Sequence, residues 1–247
     1  MAINGARDQL SKASAILELL ATSAASKPWW GVREIAKSLG ASTTTTHRTL
    51  VALSDIGYVR QDPESGRYAI GTELRRVASL ITNSDPFVEL ARPTLQLLTK
   101  DTGETSILAR FDEITRSLVF VDVVHGRREL GYDIPIHRHL SLYRGASGLA
   151  VLANMSAGCP ETHPELRALL HGIRSTGVAL TQGERIPGAL GLSSAVLTDS
   201  GTVVGSVTLT IPEARMPTPE SRRKMALRVR EAAAQISKRI KSSNVTS

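Results

Sequence analysis

Residues 30–71 constrain the fold of this chain more than any other stretch of the sequence. Apolar side chains three and four apart predict a short helix over residues 32–39, and Gly40 ends it because glycine readily adopts a positive φ. Ser42 is the predicted N-cap of a second helix that runs to about Ile56. Two short helices joined by so tight a turn are typical of a helix-turn-helix.

A β-hairpin is predicted directly after the second helix. Residues 58–61 alternate as a strand does, residues 62–66 carry the Asp, Pro, Ser and Gly of a turn, and residues 67–70 return. An ordinary helical hairpin beside a small sheet is the alternative. The position of the hairpin favours a winged helix-turn-helix.

One face of the second helix has the chemistry of a DNA-reading surface. Thr46, Leu50 and Leu53 are spaced to point inward, so small, hydroxyl-bearing and basic side chains point outward. Such side chains suit the edges of bases in a major groove. The predicted DNA contacts on this helix and the hairpin are Ser42, Thr43, Thr44, His47, Arg48 and Arg67.

These contacts divide by their chemistry. Thr43, Thr44 and His47 are expected at base edges, and the other members of the set at phosphates. Arg67 is expected to hold the hairpin to a phosphate or to enter a minor groove.

Net charge identifies the partner less well than the motif does. The formal charge is +7, yet residues 1–71 hold eight Lys and Arg against six Asp and Glu, a net of only +2. Residues 218–241 hold eight basic side chains against two acidic ones, as a solvated helix face commonly does. The prediction of DNA binding therefore depends on the helix-turn-helix.

The sequence divides into two domains and a connection. Residues 1–71 are the predicted winged helix-turn-helix domain, residues 72–85 a connecting helix, and residues 86–247 a second domain. Helices are expected at residues 6–22, 72–82, 86–100, 149–155, 164–175 and near the end of the chain. Strands are expected at residues 106–111, 118–124, 131–134, 189–197 and 203–211. Hairpins between these strands favour an α+β fold with a mostly antiparallel sheet.

Signatures of catalysis and of metal binding are poor, so no catalytic residue, cofactor or metal site is predicted. The serines of residues 145–148 and 191–195 lack the glycine spacing of a nucleophile elbow. His137 and His139 have no third ligand nearby. Cys159 is the one cysteine, which excludes an intrachain disulfide.

The sequence also lacks the patterns of membrane insertion and export. No apolar run reaches transmembrane length, and the N-terminus has no signal-peptide pattern. A soluble, cytoplasmic protein is expected.

Three segments resemble the IclR family of bacterial transcriptional regulators. They are the hairpin at residues 61–68, the segment at residues 140–153, and the Gly-Val-Ala…Gly-Glu…Pro-Gly segment at residues 177–188 ahead of Thr-Leu-Thr-Ile-Pro. The segments occur in the family's order. The resemblance implies a winged helix followed by a GAF-like α/β sandwich that binds a small organic effector. It also implies dimers through the DNA-binding domains, often paired into tetramers.

The resemblance further implies where the effector binds. The family builds its pocket from the loop before a Gly-x-Ala helix, the segment after Gly-Glu, and small hydroxyl residues on the last strand. The matching positions in this sequence are Leu140, Ala146, Ser147, Thr181, Gly191, Thr208 and Thr210. The hydroxyls of Ser147, Thr208 and Thr210 are expected to hold the polar end of the effector, and ordinary core packing is the alternative for each residue.

The sequence departs from the family pattern at four of the relevant positions. Tyr143 stands where His is common, and Leu149 where Lys or Arg is common. Thr181 and Gly191 replace an acidic residue and a Cys of members that bind small keto acids. We therefore expect an aromatic or larger carboxyl-type effector.

Together these observations predict a ligand-responsive repressor that binds operator DNA as a dimer or a dimer of dimers. Effector binding is expected to change the placement of paired DNA-binding domains. One alternative is a ligand-binding enzyme or sensor whose winged helix mediates protein contacts. Another is a constitutive DNA-binding protein with a purely structural second domain.

Overall fold

The computed structural model describes the backbone of residues 2–82, 85–126, 134, 136–155, 163–215 and 218–243. It describes the side chains of residues 8–80, 85–126, 134, 136–155, 163–215 and 218–241. The chain forms two compact units, Met1–Asp85 and Pro86–Ser247.

Unit 1 is a three-helix arrangement followed by a hairpin and a further helix. Its elements are α1 (Ala2–Ser23), α2 (Val32–Ser38), α3 (Thr43–Asp55), β1 (Val59–Gln61), β2 (Tyr68–Ile70) and α4 (Thr72–Thr82). The antiparallel strands β1 and β2 pair Val59 with Ile70 and Gln61 with Tyr68. The expected winged helix-turn-helix is confirmed.

Local chemistry sets the helix boundaries in unit 1. The Gly31 N–H donates to Glu34 Oε2 at 2.8 Å and closes the start of α2. Gly40 has a φ of +62°, which lets the chain turn between α2 and α3. The core beneath these helices consists of Ile16, Leu20, Ile35, Leu50, Leu53, Val59, Tyr68 and Ile70.

The two tryptophans before α2 have different surroundings. Trp30 pairs with Tyr68 of β2 through both backbone N–H groups, at 2.9 and 2.8 Å, and its ring packs against the core of unit 1. Its indole N–H donates to Ser23 Oγ at 2.9 Å. Trp29 is half-buried beneath the guanidinium of Arg60, which lies 4.7 Å from its ring centroid. Trp30 therefore packs against the core of unit 1, whereas Trp29 supports an exposed arginine.

Unit 2 is an antiparallel sheet with helices on both faces. Its helices are α5 (Pro86–Thr102), α6 (Gly145–Asn154), α7 (Pro164–Thr176) and α8 (Pro219–Ser243). Its strands are β3 (Thr105–Asp112), β4 (Ser117–Val124), β5 (His139–Leu140), β6 (Ala179–Gln182), β7 (Ala189–Leu197) and β8 (Val203–Pro212), in the order β5-β4-β3-β8-β7-β6.

Two apolar cores hold these layers together. Helices α5 and α8 pack on one face of the sheet, against Leu108, Val207 and Leu209. Helices α6 and α7 pack on the other face, against Ile107 and Phe120. Every residue from 145 to 153 is buried, so α6 lies wholly inside unit 2. The α+β class and the predicted sandwich are confirmed.

Several predicted boundaries were wrong. Helix α6 begins at Gly145 rather than at Leu149, because its first turn is capped by side chains distant in the sequence. Strands β5 and β6 were not predicted. The predicted strand at residues 131–134 lies mostly outside the described residues, and Ile134 belongs to no strand. Cys159 also lies outside them.

The described residues lack two kinds of feature, a membrane-spanning helix and a cluster of metal ligands. None of their helices combines the length and apolar character needed to cross a membrane. Within the same residues, no three His, Cys, Asp or Glu side chains gather closely enough to hold a metal ion.

Candidate DNA-contact surface and effector pocket

The start of α3 is fixed by its own cap. Ser42 Oγ accepts a hydrogen bond from the Thr45 N–H at 3.1 Å and donates to Thr45 Oγ1 at 2.8 Å. Such a cap satisfies amides that the helix itself leaves without partners. It also commits the Ser42 hydroxyl proton to Thr45, so Ser42 must turn this proton away from Thr45 before it can donate to a phosphate.

The threonines of α3 separate into an inner and an outer set. Thr46 and Thr49 are 1 % and 3 % exposed, and their hydroxyls donate to backbone oxygens one turn earlier, at 2.9 and 3.0 Å. Each buried hydroxyl is thus satisfied within its own helix. Leu50 and Leu53 are buried beside them, so the predicted inward face is confirmed.

The outer set faces solvent. The exposed side chains at the start of α3 are Ser42, Thr43, Thr44, His47 and Arg48. They occupy consecutive turns of one helix face, as a surface that enters a groove must. Their contacts with DNA stay a prediction.

The turn of the wing is held by Asp62. Its carboxylate accepts from the Ser65 N–H at 2.9 Å and from the Ser65 hydroxyl, and its backbone N–H donates to the Arg67 carbonyl at 2.8 Å. The hydrogen bonds from Ser65 hold the pKa of Asp62 below its usual range. The charge of this turn therefore persists well into acid solution.

Arg67 lies at the end of this turn rather than at its outermost point. Its Nη1 donates to the Trp29 carbonyl at 3.4 Å and lies 3.9 Å from Glu34 Oε2. Lys27 Nζ lies 3.1 Å from the other oxygen of Glu34. The Gly31 amide, followed by Lys27, lowers the pKa of the Glu34 carboxyl.

The strand of the wing carries a second exposed arginine that the sequence reasoning missed. Arg60 stacks on Trp29, while Arg67 reaches the carbonyl of the same residue. The side chains of Lys27, Arg60 and Arg67 thus gather at the base of the wing. The alternating pattern of residues 58–61 predicts that Arg60 faces solvent, so the sequence could have identified it as a further basic residue of the wing.

Unit 2 contains a cavity between the first turn of α6, the sheet and the β6–β7 connection. The cavity has a volume of about 30 Å³. Its lining is Ile107, Phe120, Ala146, Ser147, Thr181, Glu184, Arg185, Ile186, Ala189, Gly191, Thr208 and Thr210. The cavity therefore has room for about two water molecules.

Six of the seven predicted pocket residues line this cavity. Leu140 does not, because it belongs to the short edge strand β5, where it packs against the α6 side of the core. Its assignment to the pocket was wrong in this respect. The motif identifies the position of Leu140 in the sequence but does not show on which side of the edge strand its side chain packs.

Hydroxyl groups form a buried network beside the cavity. Ser147 Oγ and Thr208 Oγ1 lie 2.8 Å apart, Thr208 Oγ1 donates to Ser193 Oγ at 2.8 Å, and Ser193 Oγ donates to the Val207 carbonyl at 3.0 Å. Thr210, two residues further along β8, is 4 % exposed and also lines the cavity.

The first amides of α6 bind side chains from β6 and from the connection after it. The Ala146 N–H donates to Thr181 Oγ1 at 3.0 Å, and the Gly145 N–H donates to Glu184 Oε2 at 2.9 Å. Arg144 Nε donates to the Glu184 carbonyl at 2.5 Å. The helix start is therefore held by groups 35 to 40 residues away in the chain.

Arg185 is the cation of the cavity. Its Nη2 donates to the Ser141 carbonyl at 2.7 Å and to the Arg144 carbonyl, while its buried Nε has no hydrogen-bond partner among the described residues. Burial lowers the pKa of Arg185, as does the neighbouring charge of Arg144, whereas Glu184 raises it. The guanidinium stays charged near neutral pH because its ordinary pKa is so high.

The sequence reasoning pointed to the segment after Gly-Glu but missed Glu184 and Arg185 themselves. Their adjacent opposite charges between Gly183 and Gly188 could have drawn attention to them. Nothing in the local pattern showed that both side chains fold over the start of α6.

Comparison with known proteins decides the family. A model of the IclR helix-turn-helix domain matches residues 9–63, and a model of the bacterial transcriptional regulator IclR C-terminal matches residues 159–238. Together they span more than half of the chain. The chain belongs to the IclR family. The resemblance that its motifs suggested is confirmed, and regulators of this family are DNA-binding transcription factors rather than enzymes.

Curated relatives of this IclR-family chain include two repressors. It is 28% identical over 169 residues to the acetate operon repressor of Salmonella typhimurium, a match that covers 68% of this chain and 58% of that protein. It is 30% identical over 152 residues to the transcriptional repressor IclR of Escherichia coli, which covers 62% and 54%. The chain thus spans little more than half the length of these relatives.

Solved structures share the fold of the chain. One is an IclR homolog from Microbacterium hydrocarbonoxydans complexed with 4-hydroxybenzoate. The likeness covers 95% of this chain and 100% of that one, with a TM-score of 0.71 and 18% sequence identity. At this identity the comparison shows a common fold only.

Proposed function

We propose that this IclR-family chain is a transcriptional repressor that binds double-stranded operator DNA through α3 and the wing. The observation that carries the proposal is the exposed hydroxyl and basic face at the start of α3, inside the segment that the helix-turn-helix model matches. The two curated repressors support the direction of regulation.

Direct binding to DNA tests this function. Fluorescence anisotropy would compare a duplex from immediately upstream of the chain's own gene with a random duplex, over a titration of salt. Selective binding that weakens as salt rises is the expected result, because phosphate contacts release counterions. Equal binding to both duplexes, with no response to salt, would contradict the proposal.

We propose that the chain acts as a dimer or a dimer of dimers. Helix α4 supports this assembly, since none of its residues within the described side chains is buried and Leu80 is 62% exposed. An exposed apolar stripe is commonly covered by a partner. Light scattering at several protein concentrations would measure the mass, and a monomer at all of them would refute the assembly.

We propose that unit 2 binds a small organic acid, either aromatic or of comparable size. Three features of the cavity support a carboxyl group: the guanidinium of Arg185, the amide end of α6 and the hydroxyl of Thr210. The solved relative complexed with 4-hydroxybenzoate supports the aromatic class. The size of the cavity requires the β6–β7 connection to move before such a molecule enters.

Calorimetry tests the effector class. The panel would contain benzoate and 4-hydroxybenzoate together with glyoxylate and pyruvate. Binding of the aromatic acids and a change of operator affinity in their presence are expected. Tight binding of glyoxylate or pyruvate, with none of the aromatic acids, would refute the proposed class.

A further inference from the structure

The β6–β7 connection covers the cavity as a strap, which we define as residues 183–188. Gly183 and Gly188 at its ends have φ values of +65° and +73°. Between them, Glu184, Arg185 and Ile186 line the cavity. Among the lining residues that the structure describes, those of the strap are the ones outside helices and strands, so the strap is the wall best able to move when the cavity widens.

The strap carries a carboxylate that already binds the amide end of α6. Glu184 Oε2 accepts the Gly145 N–H at 2.9 Å, at the first residue of a ten-residue helix. This end of a helix attracts negative charge through its free amides and its dipole. Glu184 thus supplies the same chemical group, at the same place, as an acid that enters the cavity would.

Two further groups of the cavity remain available to an anion. The buried Nε of Arg185 has no partner, and Arg185 packs so closely over Gly145 that an added Cβ there would lie 2.9 Å from this Nε. Thr210, which is 4 % exposed, presents its hydroxyl-bearing side chain to the same cavity. Both groups can donate to a carboxylate.

We propose that Glu184 is a built-in competitor of the effector. Its carboxylate holds the strap closed on α6, and the acid group of the effector replaces it at the Gly145 amide while Arg185 pairs with the incoming charge. This inference rests on the proposed effector function of unit 2. Two carboxylates cannot share one small site without strong repulsion, so Glu184 must leave when the acid arrives.

The competition has a consequence for selectivity. A neutral molecule cannot take over the contacts of Glu184, because it brings no charge to the helix end or to Arg185. An acid can, and its binding then displaces residues 183–188. Entry of the effector and movement of the strap become the same event.

Chemical rescue with acetate tests whether the Glu184 carboxylate occupies an acid-binding site, and it does not require the effector to be identified. In the full-length chain, Glu184→Ala removes the carboxylate, and acetate should refill the site. At constant ionic strength, saturating acetate should raise the melting temperature of this variant by about 2–4 °C, the size expected for about 1 kcal/mol in a chain of this length. Acetamide should have no effect.

A matched variant controls for general effects of acetate. Glu165→Ala removes an exposed carboxylate from the first turn of α7, a helix that contributes no residue to the lining of this cavity. Neither this variant nor the wild type should respond to acetate. An equal response of all three proteins, or no response of Glu184→Ala, would overturn the proposal.

A second variant keeps the inference testable if Glu184→Ala does not fold. Glu184→Gln preserves size and an acceptor oxygen for Gly145 but removes the charge. We expect benzoate to bind this variant at least about tenfold more tightly than the wild type, since charge-assisted contacts are the strong ones. Benzamide should show no such gain.

The outcomes separate this inference from the proposed function. Absent or unimproved benzoate binding by Glu184→Gln, or an equal gain for benzamide, would overturn the competitor role. Operator binding of the wild type, measured by anisotropy in the absence of acid, reports the function independently. Selective DNA binding together with failed rescue would support the repressor function and refute the competitor role of Glu184.

Discussion

Hydroxyl side chains occur in both units of this IclR-family protein, with opposite surroundings. At the start of α3, Thr43 and Thr44 face solvent, while around the cavity Ser147 and Thr208 are buried and bonded to each other. The first pair is open to a partner and contributes little to the fold. The second pair helps to hold α6 against the sheet. The same residue type therefore has to be judged by its partners rather than by its place in a motif.

The largest expected effect concerns two threonines on one strand. Thr208→Val should lower the free energy of unfolding by about 1–3 kcal/mol, because it leaves the hydroxyl of Ser147 buried without its partner. Thr210→Val on the same strand should change it by no more than about 0.5 kcal/mol, since Thr210 is not part of this network. Urea denaturation of both variants measures the difference. Equal losses would show that the network has no role of its own.

A somewhat smaller effect is expected from basic residues on the exposed face. Arg48→Ala should weaken DNA binding by about tenfold whatever the sequence, and lower the slope of log K against log salt by about one unit. Arg67→Ala should act in the same way. Arg223→Ala removes an exposed arginine of α8 and provides the control. If all three variants bind DNA alike, the face assigned to DNA is wrong.

A base contact should have a narrower effect than a phosphate contact. Thr44→Ala should relax the preference for one base pair, at a cost of about 1 kcal/mol for the correct sequence, with little change in stability. Thr46→Ala should do the reverse, because Thr46 is buried and its hydroxyl bonds only to its own helix. Binding to a set of single-base operator variants would distinguish them. If only Thr46→Ala lost the preference for a base pair, the assignment of the base contact to Thr44 would be wrong.

The smallest effect is expected at the base of the wing. The pKa of Glu34 is lowered in the folded chain from its ordinary value of 4.5, so its contribution to stability is present above that pH and is lost as the pH falls through the folded value. Glu34→Gln should therefore flatten the decline of melting temperature below about pH 4.5. An unchanged pH profile would show that the Gly31 and Lys27 contacts do not favour the charged form.

Sequence predicted the helix-turn-helix better than the cavity, for a physical reason. The inward face of α3 and its Ser42 cap depend on residues three and four apart, which are visible in the chain. The start of α6 depends on Thr181 and Glu184, more than thirty residues away. Local periodicity carries no information about such partners, so Gly145 was assigned to a loop.

The resemblance to the IclR family filled part of this gap but not all of it. Ser147, Thr181 and Thr208, which it named as effector contacts, line the cavity, because positions in a shared fold keep their surroundings, and their contact with an effector stays a prediction. The resemblance misplaced Leu140 and said nothing of Arg185. A turn has no period from which the direction of each side chain could be derived.

The hydroxyl network also fixes the direction of its protons. Ser193 gives its proton to the Val207 carbonyl and Thr208 gives its own to Ser193, so Ser147 must give its proton to Thr208. Ser147 and Thr208 then offer only lone pairs to the cavity, and a carboxylate gains nothing from them. A molecule that fits this wall would point a hydroxyl of its own toward Ser147 and its acid group toward Arg185. The polarity of the pocket thus favours one orientation of an asymmetric molecule over the other.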